Sequence, residues 1–130
     1  MFKKSNKQPQ LDAFTSVPMM LESSALKQYS DQGYWHNLFH EQVVQRIDET
    51  IFSILFKSNT GAPNSPIRIL IGMMILKESF GWSDSQLYDH CRFNLLVRSS
   101  LGLYNINDPL PAESTYYLLR KRMYDHQKQT

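Results

Sequence analysis

The chain has 130 residues, of which 42% are hydrophobic and 20% charged, and it carries a formal charge of +2. That balance fits one domain with a real core and excludes an intrinsically disordered chain. So small a positive charge does not mark a nucleic-acid binder by itself, so the placement of the cations has to decide.

Residues 1–18 read as a tail. Lys3, Lys4 and Lys7 make it basic, and Pro9 and Pro18 discourage regular structure. It is either a frayed terminus or a basic arm that lies along phosphate. The lysines are not followed by the apolar stretch of a secretory signal. Residues 19–29 leave room for one short helix, which Asp31, Gln32 and Gly33 then break.

A longer helical region is expected over 35–56. Val43, Ile47, Ile51 and Leu55 recur every four residues, with Phe39 leading in, which is the spacing of one buried face. Asp48 and Glu49 fall off that face. His36 and His40 stand i, i+4, the spacing of a zincin pair, but Asn37 occupies the place of the glutamate such a motif needs. No metal site is expected there, only two half-exposed histidines near Trp35 and Phe39.

The clearest break is 57–66, where Gly61, Pro63, Asn64, Ser65 and Pro66 cluster. Ser65 before Pro66 predicts an N-cap with proline at the first helical position. Residues 66–80 are apolar nearly all round, which predicts the central, buried helix, stopped at Gly81. Their longest apolar run, 69–76, is far shorter than the roughly 20 residues of a membrane helix, so a soluble protein with no membrane partner is expected.

Ser83 with Gln86 three residues on is a capping-box pattern that opens the next helix. Leu87, Cys91 and Leu95 carry its stripe, and a break near Asn94 is expected. Cys91 is the single cysteine, which excludes an intramolecular disulfide and fits a reducing, cytoplasmic setting. Its place on the stripe makes it a core residue rather than a nucleophile, and neighbouring His90 points about 100° away. A loop over 104–111 follows, and Glu113 or Ser114 opens a last helix to about Gln127.

No segment alternates with period two, so no strand is assigned. The expected fold is all-α: a compact bundle of about five to seven helices around 66–80. With 1–18 as a tail, 19–130 form a single helical domain. The succession helix, Gly81 turn, capped helix, loop and basic helix is compatible with a helix-turn-helix-like C-terminal part.

The acids are scattered, and neither phosphate-loop glycine motif is present, so no catalytic site and no cofactor are expected in this chain. The last helix carries the informative charge. On a helical wheel Tyr116, Leu119 and Met123 share one side and should face the core. Tyr117, Lys121, Tyr124 and Lys128 share another, flanked by Arg120. Such a face suits double-stranded DNA: cations neutralise phosphates, hydroxyls donate to them, and an arginine can reach a guanine edge. Ser114 and Thr115 sit at the helix start, where free N–H groups favour an anion. Arg92 and Arg98 are candidates for phosphate contacts from the preceding helix. A basic last turn also suits the helix's own dipole without any DNA.

The stretch 61–123 resembles the N-terminal domain of InsH-type insertion-sequence transposases. The resemblance rests on an ordered set: Pro66 and the apolar helix behind it, Phe80-Gly81, Ser83-Asp84, Leu87, Asn94, Leu101-Gly102-Leu103, Pro109 and Pro111, Ser114-Thr115, then Arg120-Lys121-Arg122. It implies a DNA-binding domain that recognises the terminal inverted repeats of a transposable element. Cutting and joining would belong to a separate RNase-H-like domain that holds two metal ions on carboxylates. This chain would then be a fragment, a truncated reading frame or an expressed domain. A protein-interaction module that dimerises the transposase is the alternative, with Trp35 and Phe39 supplying the contact, and a homo-oligomer is compatible with both.

Overall fold

The computed structural model describes residues 15–52 and 66–129. Among them lie six α-helices, two short 3-10 turns and no strand: α1 (Ser23–Tyr29), α2 (Trp35–Gln42), α3 (Ile67–Phe80), α4 (Asp84–Phe93), α5 (Leu95–Ser100) and α6 (Glu113–Gln129). The fold is an all-α bundle. Residues 1–14, 53–65 and 130 lie outside the described residues, and with them most of the expected basic tail, Leu55 and the proposed cap Ser65.

The central helix is α3, as its apolar composition predicts. Ile67, Leu70, Ile71, Met73 and Leu76 are buried, joined in one core by Val44, Leu87, Tyr88, Cys91, Val97, Leu101, Leu103, Tyr116 and Leu119. Gly72 lets the neighbours come close. A Cβ there would stand 2.8 Å from Leu101 and 3.3 Å from Val44, so any side chain would have to push them away. The helix starts one residue later than expected, with Pro66 itself as N-cap. It ends at Gly81, whose φ of 70° is the left-handed cap a glycine adopts without strain.

Helix α4 follows after three residues, held by the capping box of Ser83 and Gln86. Asn94 closes it and caps α5, accepting from the N–H groups of Leu96 and Val97. These local signals act over three or four residues, so sequence and structure agree there.

The region 35–52 departs from the expected long helix. Helix α2 stops at Gln42, and a 3-10 turn at Val44–Arg46 follows. Consecutive β-branched Val43 and Val44 favour continuing a helix poorly. Asp48 then accepts from the Thr50 N–H at 3.0 Å, a local turn that competes with helix. The four-residue stripe therefore does not survive: Val44 is buried, Ile47 half-buried and Ile51 exposed. Glu49, expected on the outside, is only 1% exposed. Its carboxylate accepts from Arg68 Nη1 at 2.7 Å and from the Arg68 backbone N–H at 3.2 Å. It thereby places a negative charge at the N-terminus of α3, where the dipole welcomes it.

His36 and His40 are buried rather than half-exposed. His36 Nε2 lies 2.8 Å from the Tyr29 carbonyl and so carries the proton as donor. His40 Nδ1 lies 3.4 Å from the Tyr104 hydroxyl, and burial pushes its pKa below the ordinary 6.5.

The stretch 15–18, assigned to the tail by composition, packs on the body. The Val17 N–H donates to the Tyr104 carbonyl and the Ile106 N–H to the Thr15 carbonyl, a single bridge around Ser16 and Asn105. Ser16 and Val17 are buried. The loop they pair with is tied from the other side by Arg98.

Candidate nucleic-acid interface

Helix α6 reaches its position through α4. Successive turns of α4 each meet α6 or its approach. Tyr88 donates its hydroxyl to the Pro111 carbonyl at 3.1 Å, and its ring meets Tyr116 edge-on. Arg92 pairs with Glu113 at 3.5 Å, and Arg120 with Asp84 at 2.8 Å. Residues 84, 88 and 92 thus face 120, 116 and 113 in reverse order, so the two helices run antiparallel.

The wheel's two sides of α6 separate as predicted. Tyr116 and Leu119 are buried, and Met123 packs against the core. Tyr117, Lys121, Tyr124 and Lys128 are exposed along the opposite side. An open groove beside them is lined by Met74, Met123, Tyr117, Arg120, Lys121 and Tyr124.

The cations there differ in freedom. The Lys121 side chain is 76% exposed and pairs with Asp125, one turn on, at 3.6 Å. Lys128 Nζ lies 4.6 Å from the centre of the Tyr124 ring. Arg120 is held. Its guanidinium lies 5.4 Å from the Tyr116 ring centre and 5.7 Å from that of Tyr117. The Asp84 hydrogen bond raises its pKa further, so it is always charged.

At the helix start, Ser114 is exposed and Thr115 half-buried. Glu113 shares that first turn, so a carboxylate already stands where the free N–H groups would draw an anion.

Arg98 is not a phosphate contact. It is 5% exposed. Nη1 donates to the Cys91 carbonyl at 3.0 Å, while Nη2 donates to those of Asn105 and Asp108 at 3.0 Å and of Ile106 at 3.4 Å. This arginine ties the loop before α6 to α5. Arg92 is exposed, and its guanidinium lies 5.4 Å from the Tyr88 ring centre.

Cys91 lies fully buried, and burial pushes its thiol up to about 12, as suits a core residue. Among the described residues no group of three His, Cys, Asp or Glu side chains could hold a metal ion. Among them, too, no helix is long and apolar enough to cross a membrane.

Spacing along the chain did not reveal a row of rings on a second surface. Trp35 meets Phe80 edge-on at 5.6 Å. Phe80 stacks on Trp82 at 4.8 Å, and Trp82 on His90 at 4.1 Å. Phe93, 80% exposed, and Leu95 continue the row beside His90. Phe39, the other residue expected to offer a contact, packs into the core instead.

The family model described as "Transposase domain (DUF772)" matches residues 27–122. No curated protein and no solved structure matches the chain.

Proposed function

Because this chain belongs to the transposase domain family (DUF772), we propose that it binds double-stranded DNA through α6 and recognises the terminal inverted repeats of an insertion sequence. The exposed row of Tyr117, Lys121, Tyr124 and Lys128 carries this reading, on a helix whose other side is anchored by Tyr116 and Leu119. Lysines on such a row neutralise phosphates, and tyrosine hydroxyls donate to them. Arg120 supplies the base contact. Ser114 and Thr115 contribute less, since Glu113 shares their turn. The step from α3 through Gly81 into capped α4 serves as a helix-turn-helix variant that presents α6. Within the family, the chain is of the InsH type, and the chemistry of cutting and joining lies outside it.

The test is fluorescence anisotropy of a labelled duplex carrying the element's terminal repeat, against a scrambled duplex, over a salt series. Tighter binding to the repeat, falling steeply with salt, supports the reading. Unchanged affinity in a folded Arg120→Ala/Lys121→Ala double variant sinks the placement on α6.

A second reading has its own observation. The row Trp35, Phe80, Trp82 and His90, continued by exposed Phe93, suits a protein contact that multimerises the transposase. A dimer by sedimentation that persists in high salt and is lost in Phe93→Ser supports it.

A further inference from the structure

We propose that Asp84 is a positioning residue for Arg120: it fixes the guanidinium as a fork that reads a guanine edge and withholds that charge from phosphates. The inference rests on the reading of α6 as the DNA-binding helix and names how that site gains its specificity.

Both partners are already engaged in the free protein. Asp84 stands in the first turn of α4, beside the Ser83–Gln86 capping box, and the oxygen that takes Arg120 also has Lys77 Nζ at 4.0 Å. Arg120 leaves α6 between two rings, one of which, Tyr116, is itself buried. Asp84 engages Nη1 alone at 2.8 Å. A guanidinium has five N–H groups in a fixed plane, so others remain for a ligand. The Arg120 side chain is 40% exposed and lines the groove.

Guanine presents O6 and N7 to the major groove, and a guanidinium fork lying in their plane donates to both at once. A guanidinium already fixed loses little freedom on docking. Lys121 and Lys128 are the opposite case: point charges on flexible stems, suited to phosphates on any sequence. Asp84 also neutralises Arg120 at longer range, so this arginine adds little to indiscriminate attraction. Removing the carboxylate should therefore move two quantities in opposite directions, which a purely structural pair would not do.

The experiment uses the full chain and two labelled 20-base-pair duplexes. One is enriched by the wild type from a randomised pool, and the other is its shuffled counterpart. In Asp84→Asn the affinity ratio between them should fall about tenfold. Affinity for the shuffled duplex should rise, and its salt slope should steepen by about 0.9. Arg120→Lys keeps the charge but loses the fork, so its ratio should fall as well. Placing 7-deazaguanine, which lacks N7, at each guanine in turn should weaken wild-type binding at one position and leave Asp84→Asn indifferent there.

An unchanged ratio in folded Asp84→Asn overturns the proposal while leaving the DNA-binding reading intact. So does an equal rise on both duplexes, which would make Asp84 a mere repeller of DNA. An equal loss on both, with a lowered unfolding midpoint, would reduce it to a structural contact. A wild type that enriches no sequence brings down the reading of α6 as a recognition helix, and this inference with it.

Discussion

Two carboxylate–guanidinium pairs in this domain are nearly identical in length and opposite in surroundings. Glu49–Arg68 spans 2.7 Å, with the side chains 0% and 9% exposed. Asp84–Arg120 spans 2.8 Å, with the side chains 29% and 40% exposed. Distance does not separate them, but solvent does. In the first, both charges have lost their water, so the attraction between them is little screened. In the second, water screens the attraction and competes for both partners. The buried pair fastens the 47–52 stretch to the start of α3. The exposed pair keeps a guanidinium in one orientation at little cost to the fold.

The sharpest way to test the contrast is to remove one partner of each. Arg68→Met leaves the Glu49 carboxylate buried without its guanidinium and should lower stability by about 3–5 kcal/mol in urea unfolding. The double change Glu49→Leu/Arg68→Met should recover most of that loss, because the buried negative charge goes as well. If the single variant unfolds at the wild-type urea midpoint, the buried pair is no fastener.

Arg98→Met comes next. It takes the guanidinium donor from the carbonyls of Cys91 and Asp108, and from that of Asn105, which keeps the Asp108 N–H, and a loss of about 2–3 kcal/mol follows. Hydrogen exchange should quicken in 104–108 before it does in α3. Uniform exchange across both would contradict the role given to this arginine.

His40 adds a pH dependence on the buried side of the comparison. Its folded pKa lies below the ordinary 6.5, so the unfolded chain binds the proton more readily. The stability it contributes is fully present above 6.5 and is lost as pH falls from there through the folded value. His40→Gln should flatten that part of the curve of unfolding midpoint against pH. An equally steep curve would assign the acid sensitivity elsewhere.

The smallest effect belongs to the exposed pair. Asp84→Asn should cost about 0.2–1 kcal/mol, and moderate salt should erase most of the difference. Thermal unfolding at low and high salt reads this directly. A loss as large as that of Arg68→Met would erase the distinction between the two pairs.

These pairs also mark what a single chain reveals about its own fold. Signals that act within one helical turn were legible: the Ser83–Gln86 box, Asn94 between two helices, the Gly81 stop, and the two sides of α6. Burial of α3 followed from composition alone. The partnership of Glu49 with Arg68 was not legible, because 19 residues separate them and both types ordinarily face water. A four-residue apolar rhythm over 43–55 read as one helix, yet the turn at Asp48 and the burial of Glu49 prevail over it. At the candidate interface, the exposed row on α6 was visible on the wheel. The hold on Arg120 was not, since Asp84 lies 36 positions away. Arg98 misled for another reason: its partners are near in the chain but are main-chain carbonyls, which no pattern of side chains announces.

Those partners are main-chain carbonyls, which every residue type supplies. Arg98 thus recognises the path of the loop and is blind to most of its letters. Exposed Ile106 and Asn107 can change identity while the path stays the same. The loop that leads into α6 is therefore open to drift, and new surface chemistry can be tried there without reinventing the domain. Arg98 itself has no such latitude.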